Sequence, residues 1–189
     1  MNFSTVGIYI AAIIFSYLLG SIPSAYLLGR RYQVDIRTKG SGNVGTMNTR
    51  TTLGWKPALL VLACDLAKGM AAVFIAQMAG INPMLAGSIA VAGHIYPVWL
   101  NFQGGKGLAA AAGALIAAGY FVTVIAFLLV SLSTYPLLKQ IDRSSLIGLA
   151  AAIIISAMVY GWDSFLILLA FIICIKHIDV LNKKKQSSA

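Results

Sequence analysis

The sequence contains no glutamate, and its acidic residues are five aspartates. Only 10% of the residues are charged and 59% are hydrophobic, a balance that excludes an ordinary soluble domain. The two cysteines, Cys64 and Cys174, fall in apolar segments and form no CxxC pair, so we expect them to be packing residues. No HExxH, Cys/His cluster or GxSxG motif occurs, so neither a metal site nor a serine-hydrolase site is expected.

Apolar runs dominate the chain and are separated by short polar breaks, which raises the mean hydropathy to +0.86. Runs of about 20 apolar residues are typical of membrane-spanning helices. The first run has no basic residues before it and no cleavage site after it, so we expect a retained span rather than a signal peptide. We expect one domain over 1–189, with apolar segments at about 5–28, 57–78, 84–99, 108–138, 146–160 and 165–175.

Segment 108–138 decides the topology, because it forms either one tilted helix or two short helices that turn near Gly119 and Tyr120. Basic residues favour the cytoplasmic side of a membrane. With two helices, every basic group lies on that side; with one, Lys139, Arg143 and the basic tail face outward. We therefore predict an all-α, polytopic integral membrane bundle of seven short helices, with the N-terminus outside and the C-terminus cytoplasmic. Because this topology explains the net charge of +9, binding of nucleic acid is not expected.

Three polar clusters end on the same predicted face, at 20–24, 40–50 and 93–107. Glycines allow a close approach of backbone N–H groups, and small hydroxyls and amides add neutral hydrogen bonds, so the second cluster suits an anion. In the third, a Gly-Gly-Lys-Gly run directly precedes a helix, and unpaired N–H groups at a helix start also favour an anion. Taken singly, the clusters have simpler explanations: a helix kinked by proline, a flexible connector and a lysine at the membrane edge.

Three further features lie beside these clusters. His94 is expected inside the membrane, where it is either functional or a core residue bonded to a backbone carbonyl. Asp65 and Lys68 are spaced i, i+3 and should form an ion pair that faces the bundle interior beside the site; a structural role for it is favoured over a catalytic one. The pair Ser144 and Ser145 is expected to cap the helix that begins at about residue 146.

Together these clusters resemble the bacterial acyl-phosphate:glycerol-3-phosphate acyltransferase family (PlsY). The similarity covers about the first 120 residues well and is more distant afterwards. Any one of the motifs is weak, but their order and spacing make the set specific. The matching stretches are GSIPSAYLLGR (20–30), KGSGNVGTMNTRTTLG (39–54), DLAKG (65–69) and GHIYPVWLNFQGGKG (93–107).

The resemblance implies a seven-span enzyme of the bacterial inner membrane with its site facing the cytoplasm. Its substrates would be acyl phosphate and glycerol 3-phosphate, and its products lysophosphatidic acid and phosphate. It implies no cofactor and no metal, and it suggests the enzyme that supplies acyl phosphate as a partner. The implied catalytic residues are His94, Lys106 and Ser41. The implied phosphate-binding residues are Ser21, Ser41, Gly42, Asn43, Gly45, Asn48, Arg50, Gly104, Gly105, Lys106, Ser145 and His177.

This chain departs from the family pattern in two places. The family usually has GATN where this chain reads Gly45-Thr46-Met47-Asn48, and its arginine usually stands one position later than Arg50. The C-terminal pattern has an asparagine where this chain has Val180. The main alternative function is a small transporter or channel for an anionic solute; its polar groups should continue to the opposite face, which is poor in polar residues here.

Overall fold

The structure, a computed structural model, describes residues 3–186, and within this range it contains helices and no strand. Apolar side chains all around most helices are expected for elements that lie in a bilayer, where only internally bonded backbone is tolerated. The α-helices are α1 (Phe3–Ser21), α2 (Ser24–Arg31), α3 (Thr46–Leu53), α4 (Trp55–Met78), α5 (Pro83–Ile95), α6 (Leu108–Ala117), α7 (Phe121–Leu138), α8 (Ile141–Tyr160) and α9 (Ser164–Gln186).

Six segments of the described chain are long and apolar enough to cross a membrane, and α6 is a shorter apolar helix. The predicted all-α, multi-pass membrane architecture is therefore confirmed. Segment 108–138 forms two helices, α6 and α7, and Gly119 has a φ of +86° in the turn between them. A positive φ is readily adopted by glycine. The count of seven spans and the sides of the two termini stay predictions.

The chain divides into two compact units, Met1–Ala118 and Gly119–Ala189, and each is described here by itself. The first unit contains α1 to α6, and the second contains α7 to α9. All three polar clusters of the sequence belong to the first unit. The single domain expected over 1–189 stays a prediction.

Close backbone contacts bring the helices of the first unit together. A Cβ atom on Gly20 of α1 would collide with the backbone of Ala90 in α5, and one on Gly93 of α5 would collide with the backbone of Tyr17 in α1. Contacts of this kind allow helices to pack at short distance, as small residues do in membrane bundles. As a result, the end of α1 lies directly beside the end of α5.

The proline of the first cluster interrupts the first span, as the kinked-helix interpretation predicts. Helix α1 ends at Ser21 and α2 begins at Ser24, with Pro23 between them. Proline lacks the backbone N–H that would continue the helix. The hydroxyl groups of the two serines are thereby placed beside α4 and α5.

In the second unit, α8 begins earlier than predicted, so the expected capping role of Ser144 and Ser145 is wrong. Both residues lie inside α8, where the Ser144 hydroxyl donates to the carbonyl of Gln140 at 3.1 Å. The first turn tolerates polar residues, and Asp142 there is favourable at a helix N-terminus. Helix α9 also extends well beyond residue 175, to Gln186.

Candidate active site

The three polar clusters of the sequence meet at one small polar cavity in the first unit. Its volume is about 10 Å³, roughly the space of one water molecule. The first cluster contributes the turn between α1 and α2, the second contributes Val44, and the third contributes the end of α5 and its glycines. The lining residues are Ser21, Ile22, Pro23, Ser24, Val44, Lys68, His94, Pro97, Gly104 and Gly105.

The glycine-rich loop 104–107 is held against the end of α5 by its backbone. The N–H group of Gly105 donates to the carbonyl of His94 at 3.1 Å, and that of Gly104 donates to the carbonyl of Ile95 at 3.0 Å. A Cβ atom on Gly105 would collide with Nε2 of His94 and would lie 2.8 Å from the carbonyl oxygen of Val44. Glycine is therefore required where the second cluster, the third cluster and the imidazole ring meet.

His94 is buried at this junction and lies next to a carboxylate from α4. Its Nδ1 is 3.5 Å from Oδ1 of Asp65. The same oxygen accepts hydrogen bonds from the Ser24 hydroxyl at 3.1 Å and from Nζ of Lys68 at 2.9 Å. Lys68 also donates to the carbonyl of Ile22 at 3.0 Å.

The predicted ion pair of Asp65 and Lys68 is present, and both residues are buried. The sequence did not predict its contact with His94, although we expected the pair to lie beside the site and favoured a structural over a catalytic role. A buried pair of opposite charges in an apolar helix, together with an intramembrane histidine, is a signal that could have indicated this contact.

Loop 40–50 is shaped by Asn48, which is buried in α3. Its Nδ2 donates to the carbonyls of Ile36 at 2.9 Å and Lys39 at 3.1 Å, and its Oδ1 accepts from the N–H of Ser41 at 2.8 Å. Gly42 has a φ of +70°, and a Cβ atom there would lie 2.9 Å from the carbonyl oxygen of Arg37. Asn48 therefore holds the loop from inside through both ends of its amide.

The remaining predicted residues of this loop lie nearer to the surface. Ser41 is exposed, and its hydroxyl accepts a 3.4 Å hydrogen bond from the N–H of Asn43, which is half-buried. Gly45 is buried at the start of α3. The guanidinium carbon of Arg50 lies 4.1 Å from the ring centre of Trp55, a cation–π contact. In this arrangement Arg50 packs along α3 and α4 and is not among the residues that line the cavity.

A second arginine is held beside the same loop by a carboxylate. Arg37 forms a two-point contact with Asp35, with the closest atoms 2.7 Å apart, and packs over the ring of Tyr26 at 4.7 Å. Hydrogen bonds from Arg37 lower the pKa of Asp35 to about 2. The carboxylate thus stays charged at any pH above that value.

Ser21 lines the polar cavity, and Lys106 directly follows Gly105, which also lines it. Ser21 is fully buried, and its hydroxyl has no hydrogen-bond partner among the described residues. A buried polar group without a partner is costly and calls for an explanation, such as an unseen ligand. Lys106 is half-buried and precedes the start of α6 by two positions, so its charge lies near an N-terminus that already favours anions.

The last two predicted site residues, Ser145 and His177, belong to the second unit. Ser145 is buried in α8, and His177 is buried in α9, where its Nδ1 lies 3.0 Å from the carbonyl oxygen of Ile173. Their role in binding phosphate stays a prediction. In the described part of the chain, no group of three or more His, Cys, Asp or Glu side chains could hold a metal ion.

An apolar groove of about 570 Å³ lies next to the polar cavity. Ile22, Ser24 and Lys68 line both spaces. Cys64 lines the groove and is exposed, so the expectation that it is a packing residue is wrong; it faces outward from α4 because Asp65 takes the inward position. The other groove residues are Leu19, Leu27, Leu28, Arg31, Leu60, Val61, Ala67 and Ala71.

The apolar helical fold and the polar cavity with its adjoining apolar groove define a membrane protein with room for an amphipathic molecule. The family model described as "Glycerol-3-phosphate acyltransferase" matches residues 10–186. The chain therefore belongs to the glycerol-3-phosphate acyltransferase family, which confirms the resemblance seen in the sequence. Membership in a family of enzymes decides against the transporter or channel interpretation.

Curated relatives agree with this assignment. "Glycerol-3-phosphate acyltransferase 2" of Moorella thermoacetica is 42% identical over 147 residues, which cover 76% of this chain and 75% of that protein. "Glycerol-3-phosphate acyltransferase" of Thermus thermophilus is 35% identical over 182 residues, which cover 93% of this chain and 91% of that protein.

Two crystal structures of PlsY, an integral membrane glycerol 3-phosphate acyltransferase, have the same fold. The glycerol 3-phosphate form superposes with a TM-score of 0.79 at 29% identity and covers 94% of this chain and 90% of that one. The lysophosphatidic acid form gives a TM-score of 0.77, also at 29% identity, and covers 94% and 89% of the two chains.

Proposed function

We propose that this enzyme transfers a fatty acyl group from acyl phosphate to the 1-hydroxyl of glycerol 3-phosphate, giving lysophosphatidic acid and inorganic phosphate. The observation that carries the proposal is the shared wall of the two spaces, formed by Ile22, Ser24 and Lys68. An acyl phosphate has one apolar and one anionic end. A molecule lying across this wall would place its chain in the groove and its phosphate at the polar cavity.

The size of the groove supports the acyl chain as its occupant. Its 570 Å³ falls within the usual range of sites for small molecules, roughly 300–1,000 Å³. Leucine, isoleucine and alanine side chains form most of its lining, and such surfaces gain free energy when an apolar chain displaces the solvent around them. The chain could enter sideways from the bilayer.

The polar side offers the groups that phosphates need. The polar cavity itself holds about one water, and it is lined by Val44 of loop 40–50 and by Gly105, which directly precedes the charged Lys106 in the chain. Phosphate is larger than this space, so we propose that it binds at the mouth, where Val44 and Gly105 are in contact. Ser21, with its unpartnered hydroxyl, would donate to a phosphate oxygen.

In the proposed reaction, the 1-hydroxyl oxygen of glycerol 3-phosphate attacks the carbonyl carbon of the acyl phosphate. The bond between that carbon and the bridging phosphate oxygen breaks, and the hydroxyl proton passes to an oxygen of the departing phosphate. His94 orients the hydroxyl, and Lys106 stabilises the negative charge that develops on the phosphate. No protein base or cofactor is needed for this balance.

The location we propose is the bacterial inner membrane, with seven spans and the site on the cytoplasmic side. The enzyme that supplies acyl phosphate would then act on that side. Single cysteines introduced at Asn82 and Gln103, in a variant without Cys64 and Cys174, check this with an impermeant thiol reagent on intact cells. We expect labelling at position 82 and none at 103; labelling at 103 from outside would contradict the topology.

The function is tested with purified protein and defined substrates. We expect lysophosphatidic acid to form from glycerol 3-phosphate with acyl phosphate as donor, and not with acyl-CoA. Lys106→Ala should reduce kcat/KM by about 100-fold or more, in the range measured when one charge-stabilising group is removed. Lys183→Ala is the matched control, because Lys183 is exposed and pairs with Asp179 at 3.0 Å. Absence of turnover, or full activity of Lys106→Ala, would overturn the function or the site respectively.

The natural cysteines provide a test of the groove. Cys64 lines it and Cys174 lies in the second unit. N-alkylmaleimides with long chains should inactivate the enzyme through Cys64, and saturating acyl phosphate should protect it. Cys64→Ala should be resistant, whereas Cys174→Ala should be inactivated like the wild type. If the two variants were equally resistant, the acyl chain would not lie in the groove lined by Cys64.

A further inference from the structure

Asp65 lies at the centre of a buried set of hydrogen-bond donors drawn from three helices. One oxygen, Oδ1, faces the hydroxyl of Ser24 from α2, Nζ of Lys68 from α4 and Nδ1 of His94 from α5. Asp65, Lys68 and His94 are 2%, 5% and 7% exposed. An ionised carboxylate accepts hydrogen bonds and cannot donate them. Ser24 and Lys68 each present a proton to it, and Nδ1 of His94 can form the third hydrogen bond when it is protonated.

This requirement fixes the form of the imidazole ring. A neutral histidine carries one proton, and the partner of one ring nitrogen decides which nitrogen carries it. Nδ1 of His94 lies 3.5 Å from the carboxylate oxygen, a long contact of the kind that often tightens when substrate binds. The proton then resides on Nδ1, and Nε2 carries the lone pair.

Nε2 is directed at the glycine-rich loop. It lies close enough to the position of a Cβ atom on Gly105 for the two to collide, and both residues line the polar cavity. The backbone carbonyl of His94 also accepts from the N–H of Gly105 at 3.1 Å. The ring is therefore confined between the Asp65 carboxylate on one edge and the loop backbone on the other.

We infer that Asp65 is a positioning residue for the acyl transfer: it holds His94 in the Nδ1–H form, so that Nε2 accepts a hydrogen bond from the hydroxyl of the bound acceptor, a bond that breaks when the hydroxyl proton passes to the departing phosphate. In this form Nε2 cannot donate to a phosphate, so His94 orients the alcohol and does not bind the anion. The inference rests on the proposed function for its kinetic consequence only.

Lys68 makes this arrangement possible inside an apolar helix. A buried carboxylate without a cation is strongly unfavourable, and a partner that is also hydrogen-bonded offsets much of that cost. Lys68 is fixed by Asp65 and by the carbonyl of Ile22. The ion pair thus keeps Asp65 ionised, and Lys68 and His94 approach the same oxygen, Oδ1, of its carboxylate.

The form of the ring can be measured without substrate, because the chain contains only two histidines. We would label the full-length protein with ¹⁵N-histidine in detergent micelles and assign the signals with His94→Asn. His177 is the internal reference, since its Nδ1 lies 3.0 Å from a carbonyl oxygen that can only accept. We expect His94 to be protonated at Nδ1 and unprotonated at Nε2 at neutral pH. A proton on Nε2 would overturn the inference.

Kinetics of Asp65→Asn and Asp65→Glu give the second measurement. We expect Asp65→Asn to lower kcat by about 100-fold, the loss typical of a misplaced reacting group, with less than a threefold change in KM for glycerol 3-phosphate. Asp65→Glu keeps a carboxylate and should recover both the Nδ1–H form and part of kcat. Unchanged kcat in folded Asp65→Asn would contradict the positioning role.

The two measurements separate this inference from the proposed function. If the protein transfers no acyl group but His94 is in the Nδ1–H form, the proposed function is wrong and the arrangement of Asp65 and His94 stands. If transfer is normal and Nε2 carries the proton, the proposed function stands and the inferred form of His94 is wrong. Should Asp65→Asn fail to fold, the wild-type spectrum alone decides between the two forms of His94.

Discussion

Loop 104–107 and loop 40–50 reach the same cavity but are fixed in different ways. The first is fixed by backbone contacts: Gly104 and Gly105 are buried and bond to the last carbonyls of α5. The second depends more on one side chain, because the Asn48 amide bonds to three backbone groups, those of Ile36, Lys39 and Ser41. Its hydroxyl-bearing Ser41 remains at the surface.

This difference suggests that the two loops contribute to different steps, one to the reaction and the other to substrate binding. A loop locked by backbone contacts has little freedom, so it suits the part of the site where atoms react and positions matter most. A loop that depends mainly on one side chain can adjust more easily, which suits the capture of a soluble anion. Substitutions in loop 104–107 should therefore reduce kcat, and those in loop 40–50 should mainly raise KM for glycerol 3-phosphate.

The largest effect is expected for Gly105→Ala. The added Cβ atom would collide with Nε2 of His94 and press on the carbonyl of Val44, so the ring, the loop or both must move. A displacement of about 1 Å at a reacting centre can cost roughly 100-fold in rate, and we expect kcat to fall by at least that factor. Steady-state kinetics of the purified variant measures it.

The matched control for this substitution is Gly7→Ala. A Cβ atom on Gly7 meets no atom within 4 Å, so the same chemical change in α1 should leave kcat within twofold of the wild type. If Gly105→Ala were as active as Gly7→Ala, loop 104–107 would not be a rigid part of the site.

Some of this arrangement could be predicted from the sequence, because it depends on single residues or on the distribution of charge along the chain. A proline in an apolar run breaks a helix wherever it falls, so the turn at Pro23 was predictable from one residue. The break between α6 and α7 followed from the distribution of basic residues, since only two helices bring Lys139 and Arg143 to the side of the other cations. Both signals can be seen in the linear sequence without knowledge of the contacts in the fold.

The contacts between distant elements were not predictable in this way. Asp65 and His94 are separated in sequence and meet because Gly20 and Gly93 let α1 and α5 pack closely, beside α4. Likewise, the sequence marks Asn48 as a polar loop residue, but its burial and its bonds to Ile36 and Lys39 depend on how α3 folds back over the loop. Pairings of this kind require the three-dimensional fold.

A smaller effect is expected for Asn48→Ala, which removes the fixed point of loop 40–50. The carbonyls of Ile36 and Lys39 and the N–H of Ser41 would lose their partner. Leaving such groups unsatisfied costs about 1–3 kcal/mol, so we expect a lower melting temperature and a roughly tenfold higher KM for glycerol 3-phosphate, with kcat changed less. Thermal unfolding and kinetics measure the two quantities.

Thr51→Val serves as the comparison for Asn48→Ala, because the Thr51 hydroxyl bonds only to the carbonyls of Met47 and Asn48 in its own helix. It should change KM by less than twofold. A large fall in kcat for Asn48→Ala, at unchanged KM, would show that loop 40–50 is as critical for the reacting geometry as loop 104–107.

The smallest effect is expected for Arg50→Ala. Arg50 packs over Trp55, and among the described contacts it has no carboxylate partner, so its charge adds to the field that attracts anionic substrates. We expect KM for glycerol 3-phosphate to rise about threefold at low ionic strength. The effect should fade at about 0.5 M salt, because exposed charges are screened beyond a few ångströms there.

Arg37→Ala is the comparison for Arg50→Ala. Arg37 also packs over an aromatic ring, but its charge is matched by Asp35 at 2.7 Å, and the low pKa of that carboxyl, about 2, keeps the pair intact throughout the assay range. Its removal should raise KM less than that of Arg50. If instead Arg50→Ala abolished turnover and salt made no difference, Arg50 would contact the phosphate directly, and its position one residue before the family's usual arginine would be compensated by a movement of α3.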